Sequence, residues 1–223
     1  LRSTFSPEGY QEAVGRAVEY ILAGDIFQVN LSQRFGARRT GPAIDLYRRL
    51  RQRNAAPFAA FMTTASCSLA SASPERFLKV SRDGHVETRP IKGTRPRGRH
   101  PAHDMYLEQE LGESGKDRAE NLMIVDLLRN DLSRVCRPES VRVPRLFMRE
   151  SYATVHHLVS VVTGRLAEDR GRVDLVRAAF PGGSVTGAPK IRAMEIIAEL
   201  EPVPRGPYCG AIGYLGFDGS MDS

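Results

Sequence analysis

Residues 77–94 run Phe77-Leu78-Lys79-Val80-Ser81-Arg82-Asp83-Gly84-His85-Val86-Glu87-Thr88-Arg89-Pro90-Ile91-Lys92-Gly93-Thr94. Asp83-Gly84 stands between two short segments, 77–80 and 85–89, and this dipeptide tolerates the left-handed backbone that folds a strand back on itself. The stretch therefore predicts an antiparallel hairpin. Directly beyond it, Lys92 lies between a strand that ends in Pro and a Gly-Thr turn. A lysine contributes little packing there. Were it buried, its ammonium would be disfavoured, which would leave an amine able to attack carbon. A solvated loop lysine accounts for the same residue, because most lysines are exposed. Other segments must decide.

Upstream of the hairpin, Ser73-Pro74-Glu75-Arg76-Phe77 places Glu75 17 residues before Lys92. The hairpin can bring this acid near the amine, while a solvated Glu75–Arg76 pair is the plainer alternative. Farther out, Ser6-Pro7 opens a helix whose apolar stripe is Tyr10, Val14, Val18, Ile21 and Leu22, ended by Gly24. Residues 25–35 alternate as a strand, with Phe27, Val29, Leu31 and Phe35 on one face and Gln28, Asn30, Ser32 and Arg34 on the other. That polar row suits either solvent or a wet ligand cavity.

Residues 44–53 read as helix, 57–62 and 66–70 as strands, and 96–103 as a basic, Pro-rich loop. A long helical region covers 106–135, with a break at 112–115. Residues 155–163 form a Val-rich strand and 174–179 a short helix. Residues 189–200 form a helix with Pro in its first turn. At the end, 211–217 reads as a strand and Asp218-Gly219 as its turn, so the return strand has barely begun at Ser223. This predicts a chain incomplete at the C-terminus, and Leu1 in place of Met predicts a start farther upstream. No repeat, low-complexity tract or linker divides it, so 1–223 reads as a single domain.

The 223 residues are 41% hydrophobic and 26% charged, an ordinary globular profile. There is no signal-peptide pattern and no apolar run of spanning length. Cys67, Cys136 and Cys209 are scattered and odd in number, which suits reduced thiols in the cytoplasm. The net charge of +6 suits anionic small molecules or nucleic acid. Only Arg95-Pro96-Arg97-Gly98-Arg99 is densely basic, no helix carries a basic stripe and Trp is absent, which argues against nucleic acid.

Four further constellations carry chemistry. Gly182-Gly183-Ser184-Val185-Thr186-Gly187-Ala188-Pro189-Lys190 leads into a helix, where converging N–H groups and a nearby ammonium suit an anion. Its spacing departs from a P-loop, so a carboxylate fits better than a nucleotide; a plain Gly-rich turn fits equally. The acidic helix Glu108, Glu110, Glu113, Asp117, Glu120, Asp126 and Asp131 is mostly a solvated face. Glu120, however, enters a side that becomes apolar at Ile124 and Leu127, where a salt bridge or Mg²⁺ would compensate it. His157 shares a strand face with Val155, Val159 and Val161, as a core histidine or a catalytic one. His100 and His103, in a Pro/Arg loop without Cys, read as incidental to metal binding.

Taken together, the ordered blocks resemble the chorismate-utilising enzymes: the component I chains of anthranilate synthase and aminodeoxychorismate synthase, and the isochorismate and salicylate synthases. The blocks are 24–30, 73–77, 89–94, 116–127 with 129–132, 157–160, 184–190 and 207–214. The resemblance implies an α+β fold with an antiparallel β-sandwich core and surrounding helices. It implies Glu120 as a Mg²⁺ ligand, with a second ligating Glu, an Arg–Thr pair and a carboxylate loop in a C-terminal segment beyond Ser223. Lys92, Glu75, His157 and Thr94 match catalytic positions, and Glu75 matches the acid that protonates the departing C4 hydroxyl. Gln28, Ser184, Thr186, Gly187, Ala188, Lys190, Tyr208 and Gly210 match substrate-lining positions.

Two positions divide the family. Hydrating members resemble this chain but carry Lys where Gln28 stands, and an amide cannot act as base for water. Amination is therefore implied, with ammonia from a glutamine amidotransferase. Anthranilate synthases resemble Pro-Ile-Ala-Gly-Thr at 90–94, whereas Lys92 matches the aminodeoxychorismate synthases of the folate branch. Anthranilate formation in the tryptophan branch is the alternative, and a fragment that only binds, or a basic nucleic-acid module, is a third reading.

Overall fold

The computed structural model describes all residues, 1–223. From the N-terminus the elements are β1 (Arg2–Ser3), α1 (Pro7–Leu22), β2 (Gln28–Val29), β3 (Phe35–Gly36), α2 (Ala43–Arg53), β4 (Phe58–Thr63) and β5 (Ser68–Ser73). There follow β6 (Arg76–Val80), β7 (His85–Arg89), β8 (Ile91–Pro96), α3 (Pro101–Glu113), α4 (Gly115–Ser133), β9 (Arg142–Ser151) and β10 (Val155–Arg165). The chain closes with α5 (Arg172–Ala179), β11 (Gly187–Ala188), α6 (Lys190–Leu200), β12 (Tyr214–Leu215) and β13 (Met221–Asp222). The paired strands are antiparallel and the class is α+β. Two compact units emerge: 1–41 with 181–210, and 42–180 with 211–223.

In the larger unit, seven strands form one sheet in the order β12-β13-β6-β7-β10-β8, with β9 also paired to β10. The hairpin read from Asp83-Gly84 is β6–β7, and Gly84 takes φ 83° at its turn. β7 and β8 share one edge of β10: Val162 faces Thr88 and Val159 faces Ile91. Pro90 interrupts them without breaking register, and its carbonyl accepts the Ser160 N–H at 3.1 Å. The core joins Leu78, Val80 and Val86 of the hairpin to Ile124, Val125, Leu128 and Leu132 of α4 and Val162 of β10. α4 buries this face because its apolar residues recur three to four apart.

The break within 112–115 is real. Ser114 ends α3 in an extended conformation and caps α4, its side chain accepting from Asp117 N–H. The segment read as a loop, 96–103, is shorter than expected, because Pro101 already starts α3 with His100 as its cap. β9 was not foreseen; its Pro144 and many arginines disguise a strand. β10 is buried along nearly its whole length, so alternation could not separate a core face from a site face.

In the smaller unit the expected strand over 25–35 is mostly absent. Only Gln28–Val29 pairs, with Gly187–Ala188, and Phe35–Gly36 pairs separately with Arg2–Ser3. Between them the Ser32 N–H leaves the ladder for the Glu201 carboxylate at 2.9 Å. Phe27 and Phe35, assigned to an apolar face, are exposed. Alternation in sequence here reflects partners that change every few residues. On α1 the buried positions are Ala13 and Ala17, while Val14, Val18, Ile21 and Leu22 of the apolar stripe are exposed.

Candidate active site

β8 departs from a regular strand at the position that matters. Val159 faces Ile91 and His157 faces Thr94, so two residues on β8, Lys92 and Gly93, stand opposite Leu158 alone. An extra residue of this kind is a β-bulge, which bends the strand and re-aims its side chains. Gly93 takes φ 90°, and a Cβ there would stand 2.9 Å from Asp117 Cβ and 3.0 Å from Leu111 Cδ1. Only glycine lets the start of α4 and the end of α3 come this close to the strand.

The bulge brings the expected catalytic residues of the larger unit into one neighbourhood. Lys92 Nζ lies 3.1 Å from Glu120 Oε1, with the lysine side chain only 12% exposed. Glu75 reaches the same strand, its Oε1 3.4 Å from the Ile91 N–H. Thr94 Oγ1 and His157 Nδ1 are 2.9 Å apart, and His157 also bonds to the Gly93 backbone. Burial lowers the His157 pKa, outweighing the opposing Glu150 charge and the Gly93 bond. The ring is therefore biased toward its neutral form. Tyr152 packs on it with ring centroids 5.6 Å apart. The Tyr152 hydroxyl donates to Glu150, which pairs with Arg89.

The other expected residues lie in the smaller unit. Gly187 and Ala188 form β11, with Ala188 facing Gln28 across the two-residue ladder. A Cβ at Gly187 would fall 2.1 Å from the Gln28 carbonyl oxygen, so this pairing requires glycine. Ser184 lies in a 3-10 turn over Gly183–Val185, Thr186 donates to Gly182 O at 3.0 Å, and Lys190 begins α6. Tyr208 and Gly210 lie in an exposed turn in which Gly210 N–H donates to Pro207 O.

Sequence reasoning missed the polar ties that hold these segments. Arg205 donates to Val185 O (2.7 Å), Asn30 O (2.6 Å) and both oxygens of the buried Glu201, and Glu201 also accepts from the Ser32 N–H and hydroxyl. No local pattern signals this pair, because Glu201 and Arg205 lie beyond the end of α6, where the i,i+4 rule of a helix does not apply. In the larger unit the basic run 95–99 is largely neutralised: Arg95 pairs with Glu110 and Asp117, and Arg97 with Asp104. His156, beside His157, is 1% exposed and joins Ser151 to Asp104.

No group of three or more His, Cys, Asp or Glu comes together to hold a metal. Glu120 offers one carboxylate. Mg²⁺ needs only one or two from the protein when water and substrate oxygens complete its shell, so Glu120 fits as one such ligand.

A family model described as chorismate binding enzyme matches residues 1–223. The chain belongs to the chorismate binding enzyme family. It is 54% identical over 222 residues to aminodeoxychorismate synthase component 1 of Klebsiella aerogenes, covering 100% of this chain and 49% of that protein. It is 48% identical over 223 residues to anthranilate synthase component 1 of Pseudomonas aeruginosa, covering 100% of this chain and 45% of that one. Among solved structures, anthranilate synthase component I from Streptococcus pneumoniae TIGR4 superposes with a TM-score of 0.90 at 40% identity, covering 99% of this chain and 48% of that one. The chain thus spans about half the length of the relatives it matches. Within this family fold, the bulged strand and the helix facing it are where a lysine and a carboxylate meet.

Proposed function

We propose that this chain carries the chorismate-binding and catalytic residues of an aminodeoxychorismate synthase, which replaces the C4 hydroxyl of chorismate with an amino group. The observation that supports it most is Lys92, held in a bulge, largely buried and within 3.1 Å of Glu120, with Glu75 bonded to the neighbouring N–H. The 54% identity to an aminodeoxychorismate synthase component 1 supports the same branch.

In this reading the Lys92 amine adds at C2 of the ring as the C4–O bond breaks, and Glu75 gives its proton so that the hydroxyl leaves as water. Ammonia then forms the C4–N bond, both ring double bonds shift back, and the C2–N bond breaks as the Lys92 nitrogen takes up the proton that the incoming ammonia gives up. His157 and Thr94 border the ring, and the neutral imidazole can accept a hydrogen bond or a proton. Gln28, Ser184, Thr186, Gly187, Ala188, Lys190, Tyr208 and Gly210 are assigned to substrate binding. Mg²⁺ held by Glu120 would neutralise carboxylate charge and orient the ring. Ammonia would come from a glutamine amidotransferase, and the scattered free thiols suit a cytoplasmic setting. No helix is long and apolar enough to cross a membrane.

The test is the protein carrying this chain, supplied with chorismate, Mg²⁺ and ammonium, with products resolved by mass. A 4-amino product that keeps its enolpyruvyl group, reduced roughly a hundredfold or more by Lys92→Ala, is expected. The 48% identity to an anthranilate synthase component 1 favours one other reading, chorismate and ammonia to anthranilate and pyruvate. Anthranilate formed at an unchanged rate by Lys92→Ala would establish that reading instead.

A further inference from the structure

β10 lies between two bulged neighbours, β8 with one register shift and β9 with two, and the shifts at Leu158 and Ser160 lie side by side. On one side Lys92 and Gly93 of β8 stand opposite Leu158. On the other, Val159 faces Met148 and Val161 faces Arg145, so Leu146 and Phe147 of β9 stand opposite Ser160. Phe147 takes φ 58°, a left-handed backbone that a bulky side chain rarely adopts. Something must hold both irregularities in place.

One side chain touches both residues that face the bulges. Asn121, on α4 directly after Glu120, donates from Nδ2 to the Leu158 carbonyl at 3.2 Å and accepts at Oδ1 from the Ser160 hydroxyl. Ser160 Oγ in turn accepts the Phe147 N–H at 3.1 Å, closing the chain of bonds onto the second bulge. Asn121 and Ser160 are both fully buried, at 0% exposure. A carboxamide so placed is costly unless every bond is made, and here its donor and its acceptor are both engaged. Arg118, one turn earlier on α4, covers the same bulge from outside, its guanidinium 4.8 Å from the Phe147 ring centroid.

We infer that Asn121 is a positioning residue, a buried clamp that fixes the register of α4 on the bulged sheet so that Glu120 meets Lys92. Apart from the Lys92–Glu120 and Arg95–Asp117 pairs to β8, the helix rests on the sheet through apolar contacts, which are non-directional and tolerate sliding. Two hydrogen bonds to alternate residues of one strand do not. The importance of this for catalysis rests on reading Lys92 as the nucleophile, but the placement itself is independent of that reading.

The test measures protection of Lys92 in the intact chain. Only four lysines are present, Lys79, Lys92, Lys116 and Lys190, so an amine-reactive reagent can be followed at each by peptide mass spectrometry. Asn121→Ala is expected to raise labelling of Lys92 roughly fivefold, the loss of one partly buried ion pair, with the other three unchanged. Glu120→Gln should do the same, and the double variant should add nothing further. Ser160→Ala, a milder change that leaves the Leu158 bond, should give part of the effect if Asn121→Ala does not fold. Lys92 protection that stays as in the parent in either folded variant overturns the clamp. So does an effect additive with Glu120→Gln, or one spread equally over all four lysines. None of these outcomes depends on which product the protein makes.

Discussion

The two units hold their functional segments by different means. In the larger unit the sheet that carries the bulged strand packs with α4 on an extensive apolar core, in which Leu78, Val86, Ile124, Leu132 and Val162 are each at 0% exposure. In the smaller unit the buried cluster is only Ile26, Ala193 and Ile196. There the turn before β11 and the strand at Gln28 are joined by backbone bonds, Phe27 N–H to Ala188 O and Asn30 N–H to Thr186 O, and by the fork of Arg205. A large core tolerates local irregularity because it spreads the cost. A small one depends on a few directional, charge-assisted bonds, whose loss cannot be repacked.

The largest effect expected from breaking that contrast lies in the small-core unit. Arg205→Met keeps an unbranched apolar stem but leaves Glu201, whose side chain is only 6% exposed, as a largely buried carboxylate without its guanidinium. Breaking a buried pair from one side costs on the order of 3–5 kcal/mol. Denaturant unfolding should therefore show a lower midpoint, and hydrogen exchange should rise first at 28–32 and 185–188. The double change Arg205→Met with Glu201→Leu should recover most of the loss, because an apolar pair of similar volume carries no unpaired charge. Equal stability of Arg205→Met and the parent would mean that the small cluster suffices by itself.

A smaller loss is expected in the large-core unit from Gly93→Ala. The added methyl would stand 2.9 Å from Asp117 Cβ and 3.0 Å from Leu111 Cδ1, well inside van der Waals contact, and the backbone at φ 90° disfavours any side chain. Strain of this kind costs roughly 1–3 kcal/mol, provided that α3 and α4 can give slightly. The informative comparison is with Lys92 labelling. If the bulge yields before the core does, Lys92 loses its protection at denaturant concentrations where the sheet is intact. Simultaneous loss would mean that the bulge and the core are a single cooperative element.

This contrast also explains what could be read from the chain. Asp83-Gly84, the break within 112–115 and the helix face that turns apolar at Ile124 are local signals acting on local structure, and each is found where expected. Lys92 and Glu120 could be named, and their pairing depends on a bulge that leaves only Gly93 as its mark. The 25–35 segment misled because its alternation is that of a strand, while its hydrogen-bond partners come from 2–3, 186–188 and 201, segments no local pattern can supply. Asn121 was hidden for the same reason. Within 116–127 it is one polar residue on an otherwise ordinary helix, and its meaning lies in two carbonyl and hydroxyl partners 37 and 39 residues away.

The smallest expected effect separates the units by pH. His157 has a folded pKa below its ordinary value of 6.5, chiefly through burial. Between the folded and unfolded values the unfolded chain binds more protons, so stability is full above about pH 6.5 and declines as the pH falls through the folded value. Glu201 lies below its ordinary 4.5, because the Arg205 and Ser32 bonds together outweigh its burial. Its contribution is intact above that value and is lost only in more acid solution. Acid should thus weaken the larger unit first and the smaller one second. His157→Gln, which cannot titrate, should remove the first decline and leave the second, as followed by denaturant midpoints across a pH series. Glu150 and Tyr152 are the other titratable groups beside this ring, so Glu150→Gln is the control. Removing a charge that raises the His157 pKa moves the first decline to lower pH, and an unmoved decline would mean that another group carries it.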